Sequence, residues 1–373
     1  MPSPTARPAL RWLVPLVAVL AVPASFLVVS QASADTPLKT VSAEDLLARV
    51  AEAKVDGLSG TIVQNADLGI PAIGGGSGSA GGRLTSLLAG NHTMRVWYGA
   101  PDQARVAIDD QYAETDIVSN GDHVWTYDSR TKEATRTTVP ADQAGEAGQA
   151  RREAQRQAPE GAPQTPQDAA KQLLAKVGPT TDVRVDPDVT VAGQAAYDLV
   201  LTPKDSASLV KQVRVAVDGA NYVPLRVQVF GTGSKPALDV SYTDIAFGQP
   251  EAQMFAFNPP EGTKVTDKAV PERKEPTKAQ RKELEQRKAD ADAATTTVGE
   301  GWSTVVVTKL PSDAAATDNA TLKGFVNQLK PVSGSWGTGR ELKGTVVTAI
   351  LTDDGRLAVG AVGSDAVSAA LAR

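Results

Sequence analysis

Polar and apolar positions alternate along most of this chain, and two stretches break into helical period. In "TVSAEDLLARVAEAKVDGLSG", Leu46, Leu47, Val50 and Val55 form a helical stripe; Ser42 can cap it, and Glu44 and Asp45 suit its positive end. Gly57 and Gly60 close that helix and "GTIVQN" begins a strand. Strands joined by turns are expected at 93–98, 104–108, 114–119, 123–128 and 133–139, with Asn120-Gly121 marking a tight turn. Trp125 and Tyr127 follow that turn two residues apart, so their rings point the same way, toward either a core or a ligand. A second helix is expected over 166–177, with Ala169, Leu173, Leu174 and Val177 on one side. About six more strands follow between 183 and 256: "VRV", "VTVAG", "AAYDLVLTP", "KQVRVAV", "PLRVQVF" and "ALDVSYTDIAF". Strands at this spacing with few helices predict a mainly β, α+β fold built on a large antiparallel sheet.

Polar and glycine-rich stretches divide the pattern. "GIPAIGGGSGSAGG" has little to bury and reads as a loop, and 140–165, rich in Ala, Gln and Pro, reads as an exposed insertion. The run "PERKEPTKAQRKELEQRKADADAATTT" is charged on all sides and fits a solvated helical linker. Beyond it, strands are expected at 304–309, 345–352 and 357–362, with Asp353-Asp354-Gly355 as a hairpin turn and short helices in "ATLKGFVNQL" and "SDAVSAALA". This last segment is small enough that it is expected to pack onto the main sheet. The divisions are 1–34, 35–267, 268–297 and 298–373.

The first division is a targeting segment. Arg7 and Arg11 precede an apolar run over 12–29, and Ala32-Ser33-Ala34 fits a signal-peptide cleavage site, leaving Asp35 as the first mature residue. An uncleaved anchor is the alternative; Pro15, Pro23 and the small-residue motif favour cleavage and export, into a periplasm or cell-envelope space. The 373 residues carry a net charge of -5 and no cysteine. Disulfides, thiolate metal sites, cysteine catalysis and lipidation of an N-terminal cysteine are therefore excluded. No concentrated basic patch is present to grip phosphates, which argues against a nucleic-acid partner.

Catalytic chemistry finds little support. The two histidines, His92 and His123, lack metal-ligand spacing. No G-x-S-x-G elbow occurs, and the glycine-rich stretch lacks the Lys-Ser/Thr of a phosphate loop. Asp109-Asp110 and Asp353-Asp354 sit at expected turns, where Asp serves the backbone. The expectation is a non-catalytic protein with no cofactor and no metal. A curved sheet with helices laid across one side would instead enclose an apolar cavity.

Five segments in order, "LSGTIVQ", "MRVWYGAPDQARVAID", "SNGDHVWTYDSRTKEAT", "YDLVLTPK" and "FAFNPPEGTKVTD", make residues 40–267 resemble the outer-membrane lipoprotein carrier (LolA) family. They equally resemble the related N-terminal domain of the sigma-E regulator RseB (MucB). The resemblance implies an unclosed antiparallel β-barrel whose helices cover an apolar concave face holding the acyl chains of a lipid or lipoprotein. On that reading Trp125 and Tyr127 either line the cavity or fill space beneath a helix. Met94, Val96, Val106 and Ile108 are further lining candidates, and Leu46, Leu47 and Val50 form the lid side. "PDQAR" resembles the family's proline-x-x-x-arginine motif, which makes Arg105 the candidate lid latch; an exposed strand arginine is the alternative. "GWSTVVVTKLPSD" and "VVTAILTDDGRLAVGAV" resemble the smaller C-terminal domain of the regulator, where a membrane-anchored anti-sigma factor binds. The resemblance thus implies a carrier or, alternatively, a regulatory module that senses envelope lipid. The glycine-rich stretch and the 140–165 insertion depart from the family pattern.

Overall fold

The computed structural model describes residues 38–70, 90–99, 103–110, 113–139, 166–269, 277–310 and 320–373. The signal segment, the 140–165 insertion and most of the glycine-rich stretch lie outside them.

Helix α1 (Ala43–Glu52) starts as the sequence predicts: the Ser42 hydroxyl accepts a hydrogen bond from the Asp45 amide at 3.0 Å. Six strands follow: β1 (Gly57–Ala66), β2 (Gly90–Gly99), β3 (Gln103–Asp110), β4 (Ala113–Asn120), β5 (His123–Asp128) and β6 (Glu133–Thr138). After helix α2 (Pro166–Val177) come β7 (Thr181–Val191), β8 (Gln194–Pro203), β9 (Gln212–Asp218), β10 (Pro224–Phe230) and β11 (Pro236–Phe247). A 3-10 turn (Ala252–Phe255) then leads to β12 (Lys264–Ala269). These strands form one 12-stranded sheet in the order β12-β6-β5-β4-β3-β2-β1-β11-β10-β9-β8-β7. Two meanders, β1 to β6 and β7 to β11, are thus joined where β1 pairs with β11. The sheet does not close: β12 and β7 are its two edges.

Three local features depart from the sequence expectation, each for a physical reason. Gly57 and Gly60 belong to β1 rather than to a helix end. A Cβ on Gly57 would lie 2.7 Å from the Gly248 carbonyl oxygen, and one on Gly60 would lie 2.5 Å from that of Asp244. Only glycine lets the two backbones approach so closely. The segments "VRV" and "VTVAG" form one strand, β7, with a register shift between Asp186 and Val189. Pro187 falls inside that shift, on an edge strand, where its missing N–H costs the ladder least. Finally, β12 pairs parallel with β6, Val265 opposite Ala134, so the sheet is mixed and not wholly antiparallel.

The charged run forms helix α3 (Lys278–Ala293), whose start carries a reciprocal capping box between Thr277 and Gln280. The rest of the chain builds a second sheet of its own rather than extending the first. Its strands are β13 (Thr295–Val298), β14 (Val305–Lys309), β15 (Lys330–Gly334), β16 (Gly337–Lys343), β17 (Thr348–Thr352) and β18 (Arg356–Gly360). Their order is β13-β14-β18-β17-β16-β15, with α4 (Ala320–Gln328) and α5 (Ser364–Leu371) alongside. A separate core of Val305, Trp336, Ile350, Ala358, Val362, Val367 and Leu371 holds it together. It meets the large sheet through loops: the Thr345 amide donates to Leu68 O at 2.8 Å, Leu209 N to Ala361 O at 2.7 Å, and Trp302 Nε1 to Thr181 Oγ1 at 2.8 Å.

Leu46 is fully buried against Tyr197, Leu199 and Val217. Leu46→Ala is expected to destabilise the fold by about 2–5 kcal/mol, read as a lower midpoint of urea unfolding followed by circular dichroism.

Candidate functional site

Residues directly opposite one another in a ladder share a face, so the register settles which side chains line which surface. From β8 to β2 the row Leu199–Val215–Val227–Val240–Gln64–His92 crosses the sheet without a break. The α1 cluster sits on this face, where Leu46 packs with Tyr197, Leu199 and Val217 and, around them, Leu47, Val50, Val183, Val185 and Val215. Two and four residues past His92 are Met94 and Val96, opposite Ile108 and Val106, which in turn oppose Thr115 and Ile117. The inner face is therefore mainly apolar from β9 to β4, with Gln64, His92 and Thr115 set among the aliphatic residues. Ile108 is buried, whereas Met94, Val96, Val106 and Ile117 are only half-buried. Burial raises the Tyr98 phenol above its ordinary range and pushes that of Tyr242 up to about 12, so both stay neutral.

Helix α1 is fastened at both ends. The Tyr197 hydroxyl donates to the Lys39 carbonyl at 2.9 Å, and the Arg49 guanidinium donates to the Tyr222 hydroxyl at 2.5 Å while lying 5.2 Å from its ring centroid. Leu46 therefore fills a core, while Leu47 and Val50, partly buried, flank it.

Trp125 and Tyr127 lie on the opposite, outer face. Trp125 opposes Val118 and Arg136, and Tyr127 opposes Asp116 and Ala134. Both rings pack against Phe257, with centroids 5.3 and 5.6 Å away. The chain from Ala252 to Phe257 runs across this face as a strap. Phe255 is buried beneath it, its ring so close to Gly99 that a Cβ there would sit 3.0 Å from it. The nine lining candidates thus divide between two faces and do not converge on one cavity.

Arg105 is on the outer face as well. Its guanidinium makes two bonds to Asp116, Nε to Oδ1 at 2.9 Å and Nη2 to Oδ2 at 2.8 Å, and a longer one to Met254 O at 3.4 Å. It also lies 5.4 Å from the Trp97 ring centroid. Asn120 Nδ2 adds a bond to Phe255 O at 3.3 Å. Where the sequence suggested a latch on a helical lid, the partners of Arg105 are Asp116 and the strap; α1, on the other face, is tied by Arg49. The residue that sequence reading missed is Asn120. Read as a turn former, it ends β4, while Gly121 (φ +63°) and Asp122 make the turn and its amide holds the strap.

Charges along the outer face are paired across strands. Arg95 lies 3.3 Å from Asp109 and 3.1 Å from Glu114, and the hydrogen bond to Asp109 raises its pKa further. Burial, then the neighbouring Asp116, raises the Glu114 carboxyl. His123 sits 3.6 Å from Asp122. Among the described residues no three His, Asp or Glu side chains converge as a metal site, and no helix is long and apolar enough to cross a membrane.

No family model matches the chain, and no curated protein matches it. Several solved structures do. The chain is similar to MucB and to LolA-superfamily structures. The Pseudomonas aeruginosa MucA/MucB complex shares 15% identity over 88% of this chain and 96% of that one, with a TM-score of 0.41. A LolA superfamily protein from Nitrosomonas europaea shares 11% identity over 58% of this chain and 99% of that one, with a TM-score of 0.21. An uncharacterized conserved protein from Thermus thermophilus shares 13% over 61% and 99%, with a TM-score of 0.32. At these overlaps, what the protein does must be argued from its own residues.

Asp116 is nearly buried, so Arg105→Met leaves a carboxylate without its partner. The expected cost is about 3–5 kcal/mol in urea unfolding, together with faster amide exchange over residues 252–257. Asp267→Asn removes the exposed Arg136–Asp267 pair and should cost no more than about 1 kcal/mol.

Proposed function

We propose that this is an exported, non-catalytic binding protein that holds acyl chains of a lipid or lipoprotein on the inner face of its half-barrel. One observation carries the reading: the apolar face that α1 covers over β7 to β9 continues across β2 to β4 through Met94, Val96, Val106 and Ile117, which remain half-buried. Acyl chains need only dispersion and removal from water, and such a surface offers both. About ten methylenes buried there would release about 0.8 kcal/mol each before ordering costs. The neutral Tyr98 and Tyr242 fit the same requirement, since a charge beside an alkyl chain would have to be desolvated. The N-terminal segment, with its apolar run and Ala32-Ser33-Ala34, supports export to an extracytoplasmic space.

A second reading makes the protein a regulatory module that couples envelope lipid to a membrane-anchored partner such as an anti-sigma factor. What favours it is the second sheet, which a simple carrier does not need and which is fixed to the first through Leu68, Thr181 and Leu209.

The test uses residues 35–373 and a fluorescent 16-carbon fatty acid. The folded protein should bind the probe. Val106→Thr should weaken binding several-fold and Val106→Asp at least tenfold, whereas Tyr127→Ala, on the other face, should stay within twofold. Failure of the unchanged, folded chain to bind the probe, or equal binding by Val106→Asp, would end the acyl-chain reading.

A further inference from the structure

The second sheet contains a cleft of about 480 Å³, bounded by the β15–β16 hairpin, β17, the end of α4 and the start of α5. That volume lies within the range of about 300–1,000 Å³ usual for small-ligand sites. Glu341 lines it, opposite Lys330 on one neighbouring strand and Ile350 on the other. Ile350 belongs to the core of this sheet, so the Glu341 carboxylate rises from the core-facing side. Glu341 is only 6% exposed, yet among the described residues no donor reaches its carboxylate. The flanking Lys330 and Lys343 are both exposed at the rim and form no ion pair with it. A carboxylate so enclosed, with no donor at hydrogen-bond distance, is poorly solvated, and a cationic donor entering the cleft would satisfy it.

The walls are built to fixed positions. The β15–β16 turn folds the Trp336 indole back over Gly334, where a Cβ would come within 2.5 Å of its Nε1. That Nε1–H donates to Ser368 Oγ at 2.6 Å, so hairpin and helix α5 hold the ring from both sides. Arg356 fixes the same turn by donating to the Trp336 carbonyl at 2.8 Å. The cleft therefore combines an apolar wall of Trp336, Ile350 and Val332 with one buried anion, and a second acid, Asp365, stands at the start of α5. One enclosed carboxylate and one exposed acid at the rim are too few ligands for a divalent ion, whereas the enclosed one suits an N–H donor group of positive charge.

We propose that this cleft binds an alkylammonium or alkylguanidinium group, its charge on Glu341 and its aliphatic stem along Trp336 and Ile350. The site is independent of the acyl-binding face. The group can belong to a free small amine or to a lysine or arginine side chain of a peptide, and the probes separate the two.

The experiment titrates residues 35–373 with n-butylammonium, n-butylguanidinium and neutral 1-butanol, following the Trp336 indole N–H by nuclear magnetic resonance. The cations should shift that resonance saturably, and 1-butanol at equal concentration should not. Glu341→Gln, equal in size, should weaken the cations at least tenfold, raise the melting temperature and leave binding of the fluorescent fatty acid unchanged. A capped Gly-Arg-Gly peptide that binds more tightly than n-butylguanidinium assigns the group to a peptide; weaker binding assigns it to a small amine. The proposal is overturned if neither cation binds the unchanged chain or if Glu341→Gln binds them equally well. A lowered melting temperature for Glu341→Gln would also overturn it, since the carboxylate would then be a structural partner.

Discussion

Strand β1 hydrogen-bonds to β2 along one edge and to β11 along the other, and this double pairing makes one sheet out of two meanders that are far apart in the chain. Its first half can pair this way because Gly57 and Gly60 let the β11 backbone come close. Side chains in a sheet have a period of two, so a slip of one residue in either ladder would turn a whole half of the sheet inside out. The register Gln64 opposite Val240 and His92 is what puts the α1 cluster and the Met94–Val106 surface on the same side. A continuous inner face is thus a consequence of one strand's register, held by long-range contacts rather than by any local motif.

The two faces then solve different problems. The inner face is mainly apolar, and α1 is fastened onto it by Leu46 inside and by Arg49 and Tyr197 at its margins. The outer face carries ionic pairs between neighbouring strands, yet it also carries Trp97, Trp125 and Tyr127. Aromatic rings in that number on a solvent-facing sheet would be an adhesive patch. The strap answers this by laying Phe257 against Trp125 and Tyr127, while Arg95 and Arg105 lie over Trp97, and Arg105 and Asn120 bind the strap's carbonyl oxygens. Trp125 and Tyr127 both meet Phe257 in this arrangement.

Much of this architecture is legible in the sequence because it depends on short-range pattern. Alternation located β2 to β6 and β8 to β11 closely, Ser42 marked the start of α1, and the turn glycine at 121 fixed the β4–β5 hairpin. The elements that escaped lack that pattern. β12 ("KVTDKA") is exposed along its length and is a strand only because β6 offers it an edge. β15 and β16 are largely exposed and rich in glycine, so their alternation is faint. Face assignment between strands stayed open for a different reason. Within one strand, parity tells which residues point together; between strands, only the register does. Trp125 and Val106 belong to adjacent hairpins, and no local feature shows that they lie on opposite sides.

The same dependence on non-local contact explains how the second sheet is placed. Beside the side-chain bonds of Thr345 Oγ1 to Asp67 O and Trp302 Nε1 to Thr181 Oγ1, it is attached through main-chain bonds, Thr345 N to Leu68 O and Leu209 N to Ala361 O. Such bonds constrain backbone position while asking little of side-chain identity, which is why no sequence pattern announced the junction. Asp67 and Leu68 directly follow β1, the strand on which the large sheet depends, and Gly69 next to them lines the cleft that contains Glu341. The end of β1 is therefore shared between the half-barrel and the second sheet. A change in the pairing of β1 would have to be accommodated at Thr345 or break its two hydrogen bonds, while Glu341, paired within the second sheet's own ladders, would keep its place.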